Sequence, residues 1–377
     1  MILDFLYYFF LRKAKKHHIK KILEKENFVY THQDIESILK GNQKGVRYGN
    51  MVLLRRENGQ ECKRFLKIVI DGTVRTFKLF RRQVEISNAL NKDTKYKSPS
   101  MKVIVYSFKG TTPYAIFETR ENGNDYGFMH DNQSFYEKFL DRDMENLVNA
   151  IYYFHNAGLN INKEIYRYTQ NITSRIFKHK KDIKKLLNTI ITHKSKDEII
   201  DQKSVREVLE TYLGFKNLDK IVFGILEKNW KNVIESKITK GNLLVHADMQ
   251  IDNIYKHKDG NFELLDFEWV GQTDSPVIAI MYDYGNLRAR AWSSPSFQRI
   301  LDKKMFEIGK KYYKNEIVEA GLVLGKLRSS LMMCRYHLDF VNTVKKDKRT
   351  EEDYQNMYKK TVESFKEVLN IGVSHYL

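Results

Sequence analysis

The sequence predicts an α+β fold, with a small β-rich lobe followed by a larger and mostly helical one. Three observations lead there. Between residues 51 and 118, two pairs of short apolar runs flank one amphipathic stretch. From about residue 135, apolar residues recur at helical spacing. Near residues 242–265, a brief strand–loop–strand pattern interrupts those helices. A chain of 377 residues, 42% hydrophobic, can bury a sizeable core in one large domain or two lobes. With 4 prolines and 19 glycines it is neither collagen-like nor a proline-rich linker.

The elements divide into an N-terminal helix over 1–30, a sheet lobe over 31–120 and a helical lobe over 121–377. Met1 to Phe10 is nearly all apolar and Arg12 to Lys21 is strongly basic. A secretory signal has the opposite order, and a spanning helix needs about 20 apolar residues. Two readings of residues 1–21 follow: a helix packed on the body, or an interfacial helix making peripheral contact with anionic lipid. Bulky Tyr7, Tyr8, Phe9 and Phe10 favour packing.

In the sheet lobe, Met51–Arg56 and Lys63–Ile70 flank Glu57-Asn58-Gly59-Gln60, a hairpin signal. Lys102–Phe108 and Tyr114–Glu118 form a second pair around Gly110-Thr111-Thr112-Pro113. Between them Leu79–Leu90 reads as a helix with Leu79, Gln83, Ile86 and Leu90 near one face. In the helical lobe, Asp143 is expected to cap a helix bearing Leu147, Ile151 and Phe154, with Gly158 at its end. Residues 163–240 read as further helices, with Lys178–Lys185 as a solvated basic run.

Charge and cysteines bound the partners. Lys and Arg number 65 against 47 Asp and Glu, a net +18 that suits nucleic acid, anionic membrane or phosphorylated ligands, or reflects a chain rich in Lys throughout. The basic stretches lack interleaved aromatics, so no nucleic acid is expected. Two cysteines cannot build a disulfide scaffold, which points to the cytoplasm, with membrane association if residues 1–21 lie on lipid.

The segment Leu244–Asp266 concentrates the chemistry. Asn253 lies five residues after Asp248, and Asp266 thirteen beyond that, directly after the apolar run Phe262–Leu265. Phosphoryl transfer uses one carboxylate to accept the proton of an attacking hydroxyl, and an amide oxygen plus a second carboxylate to hold magnesium against phosphates. A pairing of Asn242–Val245 with Phe262–Leu265 is expected to bring the two parts together.

This segment resembles the catalytic core of the aminoglycoside phosphotransferase and choline kinase superfamily, small-molecule relatives of protein kinases. The resemblance covers about residues 31–340 and implies a protein-kinase-like two-lobe fold. It implies Asp248 as the catalytic base, Asn253 and Asp266 as magnesium ligands, and His246, Glu268 and Asp283 in support. Lys67, within Arg64-Phe65-Leu66-Lys67-Ile68, resembles the lysine that contacts nucleotide phosphates, and Glu85, eighteen residues on, the glutamate that pairs with it. Lys78 is the rival lysine. Asn149–Gly158 resembles the helix before the catalytic loop, with His155 structural, and Tyr282-Asp283-Tyr284-Gly285-Asn286 the following aspartate motif, with Asp283 an anchor for the loop.

The implied activity is transfer of the γ-phosphate of ATP, or GTP as the alternative, to a hydroxyl of a small choline-like, sugar or aminoglycoside-like acceptor, with magnesium. A protein kinase fits less well: Gln250 replaces the lysine two residues after Asp248, Asp266-Phe267-Glu268 lacks a glycine, and only seventeen residues separate Asp266 from Asp283. A nucleotide-binding pseudokinase is the non-enzymatic alternative. Departures from the family are Ala247, where Gly or Asn is common, Asp252, where Gly is frequent, and Gly41–Gly49, which has no Gly-x-Gly-x-x-Gly. Trp269, Tyr282 and Trp292 could form an aromatic cage for a quaternary amine.

Overall fold

The computed structural model describes residues 2–40, 47–71, 73–92, 102–109, 112–118, 139, 141–159, 169–172, 218–239, 241–257, 260–291 and 294–343, with three isolated positions beyond. Side chains are described from residue 14 to 333 within these spans, except 218, 219, 221, 223 and 252. Most of the 163–240 stretch, including Lys178–Lys185, lies outside the described residues, as do 41–46, Gly110, Thr111 and Trp292. Eight α-helices and a small antiparallel sheet are present among those described. The chain falls into two units, the first within Met1–Tyr126, Ile161–Thr169 and Tyr255–Val270, the second within Gly127–Asn160, Gln170–Ile254 and Gly271–Leu377.

In the first unit, α1 (Ile2–Lys25) runs unbroken, as a stretch without Pro or Gly allows. Its described half is packed: Ile19, Ile22 and Leu23 are buried with Ile35 and Ile38 of α2 (His32–Lys40) and with Leu66 and Ile68. No helix among the described residues is long and apolar enough to cross a membrane.

The sheet has five strands in the order β1-β2-β3-β5-β4. These are β1 (Phe28–Val29), β2 (Tyr48–Glu57), β3 (Gln60–Val69), β4 (Val103–Ser107) and β5 (Tyr114–Glu118). Both expected hairpins are there. The first turns at Asn58 and Gly59, with φ of 50° and 82°, the positive angles that a two-residue turn demands. Helix α3 (Val74–Lys92) begins five residues before Leu79 and buries Leu79, Gln83, Ile86 and Leu90 on one face, as their spacing predicts.

In the second unit, α4 (Asp141–Ala157) starts before Asp143, which is buried in its first turn and is not the residue preceding the helix. Two acids at that end still complement the helix dipole. Gly158 follows α4 where backbone meets backbone: a Cβ there would lie 2.4 Å from the Asn242 carbonyl oxygen. Next come β6 (Gln170–Asn171), α5 (Leu218–Glu235) and β7 (Leu243–Val245), fully buried.

The expected pairing of β7 with the strand before Asp266 does not form. Strand β7 pairs with β10 (Gly271–Thr273), whereas β8 (Ile254–Lys256) pairs with β9 (Phe262–Leu264). The cause is local: β8 follows a 3-10 turn at Ile251–Asn253 immediately, and His257 and Asn261 close a tight turn into β9. Helices α6 (Pro276–Arg290), α7 (Pro295–Gly309) and α8 (Asn315–Thr343) complete the unit.

Candidate active site

The first unit gathers charge around Lys67. Strand β3 alternates, with Leu66 and Ile68 fully buried in the core shared with α1 and α2, so Lys67 points to the other face. There its Nζ donates to Gln83 Oε1 at 2.6 Å and to Glu268 Oε1 at 2.5 Å, and lies 3.5 Å from Asp266 Oδ1. Tyr48 sits beneath, its ring centroid 4.3 Å from the ammonium. The register explains this neighbour: Tyr48 opposes Val69 and Asn50 opposes Lys67, so Tyr48 is the diagonal same-face partner of Lys67. Burial works against the ammonium, but Asp266 and Glu268 outweigh it and hold the Lys67 pKa above its ordinary value. Burial, then the same two carboxylates, push the Tyr48 phenol up, so it stays protonated.

Glu85 is not the partner of Lys67. It meets Arg81 at 3.7 Å, one turn back on α3. Positions 83 and 85 differ by about 200° around a helix, so when Gln83 faces inward Glu85 cannot. The carboxylate that pairs with Lys67 comes instead from the 3-10 turn Phe267–Trp269, where Arg82 also donates to the Glu268 carbonyl at 2.7 Å. The rival Lys78 is exposed on α3.

Asp266 leaves β9 in the left-handed region (φ 59°, ψ 67°), which aspartate tolerates better than most residues. Its Oδ1 is buried without a hydrogen bond, although the side chain as a whole is 39% exposed. Two carboxylates face the one ammonium, with the Arg82 guanidinium beside them on the Glu268 carbonyl. The Asp266 oxygen without a hydrogen bond suits a bound cation. Among the described residues no three His, Cys, Asp or Glu side chains converge as a metal site. A metal here would therefore draw on few protein oxygens and complete its shell elsewhere, as magnesium does.

The second unit holds the loop with Asp248. Asp283 of α6 is 0% exposed and fully engaged. Its Oδ2 accepts from the His246 amide and lies 2.9 Å from His155 Nε2, while Oδ1 accepts from the Ala247 amide at 2.8 Å. Asn286, one turn along, donates to the Ala247 carbonyl at 2.9 Å. Ala247 is thereby clamped on both sides in the left-handed region (φ 62°), a conformation costing a non-glycine residue about 1–3 kcal/mol. The left-handed turn at Ala247 directs the chain so that Asp248 follows half-buried, with Asn253 Nδ2 donating to its carbonyl at 2.9 Å and lying 3.4 Å from its Oδ2. With its amide nitrogen so used, Asn253 keeps an amide oxygen for another partner. His246 is buried against Phe154, their ring centroids 6.0 Å apart.

Among the solved structures that resemble this chain are small-molecule kinases. A spectinomycin phosphotransferase in complex with ADP and spectinomycin is 11% identical with a TM-score of 0.46, covering 88% of this chain and 92% of its own. The choline kinase of Streptococcus pneumoniae is 14% identical with a TM-score of 0.46, covering 93% and 99%. The Plasmodium vivax ethanolamine kinase is 13% identical with a TM-score of 0.46, covering 95% and 88%. No family model and no curated protein matches the chain. With likeness at that level, the chemistry has to be argued from the side chains.

Four of the residues that build these clusters carried no assigned role in the sequence reading: Gln83, Tyr48, Asn286 and Arg82. Gln83 had a usable signal, since its place on the buried face of α3 already excludes Glu85 from that face. Tyr48 and Arg82 depend on strand register and on a contact spanning 186 residues, which spacing does not carry.

Proposed function

We propose that the protein is a phosphotransferase that moves the γ-phosphate of ATP, or of GTP, to a hydroxyl of a small molecule. The observation that supports this reading is Lys67, a buried ammonium between two carboxylates, bonded to Glu268 at 2.5 Å and facing Asp266 Oδ1 at 3.5 Å. In this reading Lys67 is held extended for phosphate oxygens by Glu268 and Gln83. Asp266 in the first unit and Asn253 in the second each offer a hard oxygen donor of the kind magnesium takes. Bound magnesium would offset negative charge on the phosphates. Asp248 accepts the proton of the attacking hydroxyl, and the strained Ala247 backbone holds that carboxylate in place. Asp283, His155 and Asn286 position the loop and touch no reacting atom.

The test compares wild type with Asp248→Asn. Wild type should be stabilised by ATP with magnesium in a thermal-shift titration, and should label at least one hydroxyl acceptor in a mass-spectrometric screen. Asp248→Asn should keep the nucleotide shift and lose transfer by about 10³-fold or more, since an amide cannot take the proton. A wild-type protein that shows no shift with either nucleotide, or a variant with near-normal turnover, removes the proposal.

A further inference from the structure

Helices α6 and α8 meet where glycines remove the side chains between them. A Cβ on Gly285 would lie 2.9 Å from the Gly325 carbonyl oxygen, and one on Gly321 would lie 2.8 Å from the Ile280 side chain. At 3.6 residues per turn, Arg328 shares the face of α8 that bears Gly321 and Gly325, and Tyr282 and Asn286 share the face of α6 that bears Gly285. The close approach therefore carries the Arg328 head group onto those two residues. Its Nη1 donates to Asn286 Oδ1 at 2.5 Å, and its guanidinium carbon lies 4.6 Å from the centre of the Tyr282 ring.

Among the described residues no carboxylate lies within ion-pair distance of Arg328. Asp283, whose charge does act on it, is already taken by His155 and two backbone amides. Burial pulls the guanidinium pKa below its usual value, with Tyr282 and Asp283 opposing. A guanidinium has five N–H donors, of which the two on Nη1 meet Asn286 and, at 2.6 Å, Met332 Sδ; the side chain is half-buried, and a cation partly withdrawn from water and paired with no described carboxylate is costly. Asn286, which Arg328 touches, also holds the carbonyl of Ala247, next to Asp248.

We propose that Arg328 receives an anionic group of the acceptor, so that the molecule phosphorylated carries a carboxylate or phosphate as well as its hydroxyl. The inference rests on the phosphotransferase reading only in naming that molecule the acceptor. A planar fork of donors fits either anion in a bidentate pair. The same residue counts against a quaternary-amine cage at Tyr282, because that ring already faces one cation and a second would be repelled. At longer range, a net charge of +18 draws anions toward the chain.

The experiment measures binding by calorimetry to the full chain saturated with magnesium and a non-hydrolysable ATP analogue. The probes are glycerol against glycerol 3-phosphate, glucose against glucose 6-phosphate, glucose against glucuronate, and choline alone. At least one anionic probe should bind wild type about 10-fold or more tighter than its neutral twin, the scale of one charge-assisted contact. Arg328→Met should erase that preference and leave affinity for the ATP analogue unchanged. The proposal fails if no probe binds, if a neutral probe or choline binds as tightly, or if the preference survives Arg328→Met. It also fails if Arg328→Met weakens the nucleotide analogue instead, which would assign the residue to nucleotide phosphates. Should that variant not fold, Arg328→Lys keeps the charge but loses the fork and should narrow the preference several-fold; an unchanged preference overturns the inference. Because binding is read and not turnover, loss of phosphate transfer with the charge preference intact would sink only the phosphotransferase reading.

Discussion

Asp283 and Asp266 are both aspartates of the candidate machinery, and their surroundings are opposite. Asp283 is 0% exposed, and each of its oxygens is consumed by a backbone amide, one also by His155. Asp266 is 39% exposed, and its Oδ1 faces Lys67 at 3.5 Å, beyond hydrogen-bond length. A saturated carboxylate has nothing left to offer a ligand, so its loss should be read in stability. An unsaturated one has little to lose from folding, so its loss should be read in binding. The distinction applies to whole regions as well as to single residues.

The largest contrast is between Asp283→Ala and Asp266→Ala. Removing Asp283 strands two buried amides and a histidine, and breaking such a buried network costs about 3–5 kcal/mol. The variant should melt many degrees lower. Asp266→Ala should melt within a few degrees of wild type but lose the thermal shift that ATP gives only with magnesium. If Asp266→Ala proves the more destabilised of the two, the contrast between anchor and ligand collapses.

Next is deletion of residues 1–21, a test of packing as a saturated region. It removes Ile19, which is 1% exposed, together with the Lys15 ammonium bonded to the Ile70 carbonyl at 2.5 Å. Burying one aliphatic side chain is worth about 1.5–3 kcal/mol, which for a chain of 377 residues predicts a fall in melting temperature of about 2–4 °C from Ile19 alone. An unchanged melting temperature, with binding to anionic liposomes lost in the same preparation, would instead favour the interfacial reading of this helix.

A third pair corrects the partner of Lys67. Glu268→Gln leaves the buried ammonium with Asp266 as its one carboxylate, and should raise the KM for nucleotide about 10-fold or more. Glu85→Gln breaks a half-exposed i,i+4 pair worth about 0.3–0.5 kcal/mol, and should leave KM unchanged. Equal effects on KM would return Glu85 to the site.

Much of this was legible before any coordinates. Alternation around Lys67, the Asn58-Gly59 turn and the spacing of Asp248 to Asn253 are local patterns, and local patterns survive folding unchanged. What escaped depends on three-dimensional closure. The Lys67–Glu268 pair spans 201 residues, and the exchange of strand partners around the Asp248 loop turns on which three-residue strand forms a hairpin first in sequence. The Glu85 error was of another kind. Eighteen residues from Lys67 matched a familiar spacing, while the helical phase of Gln83, visible in the same stretch, pointed the other way.

The smallest effect concerns Ala247. In an ordinary helix or strand, Ala→Gly destabilises by roughly 0.5–1 kcal/mol, because glycine has more freedom to lose. Ala247 starts from a left-handed φ of 62°, where its Cβ is itself the source of strain. Both backbone groups stay clamped by Asp283 and Asn286 whatever the side chain. Relief of strain should therefore offset the entropic loss, and Ala247→Gly should melt at the wild-type temperature or slightly above it. Turnover separates two explanations for retaining the alanine. If Ala247→Gly keeps its stability but loses several-fold in kcat, the methyl group stiffens the loop that aims Asp248. A melting temperature lower by about 1 °C, the size of an ordinary Ala→Gly loss in a chain this long, would show that the left-handed backbone carries no strain for glycine to relieve.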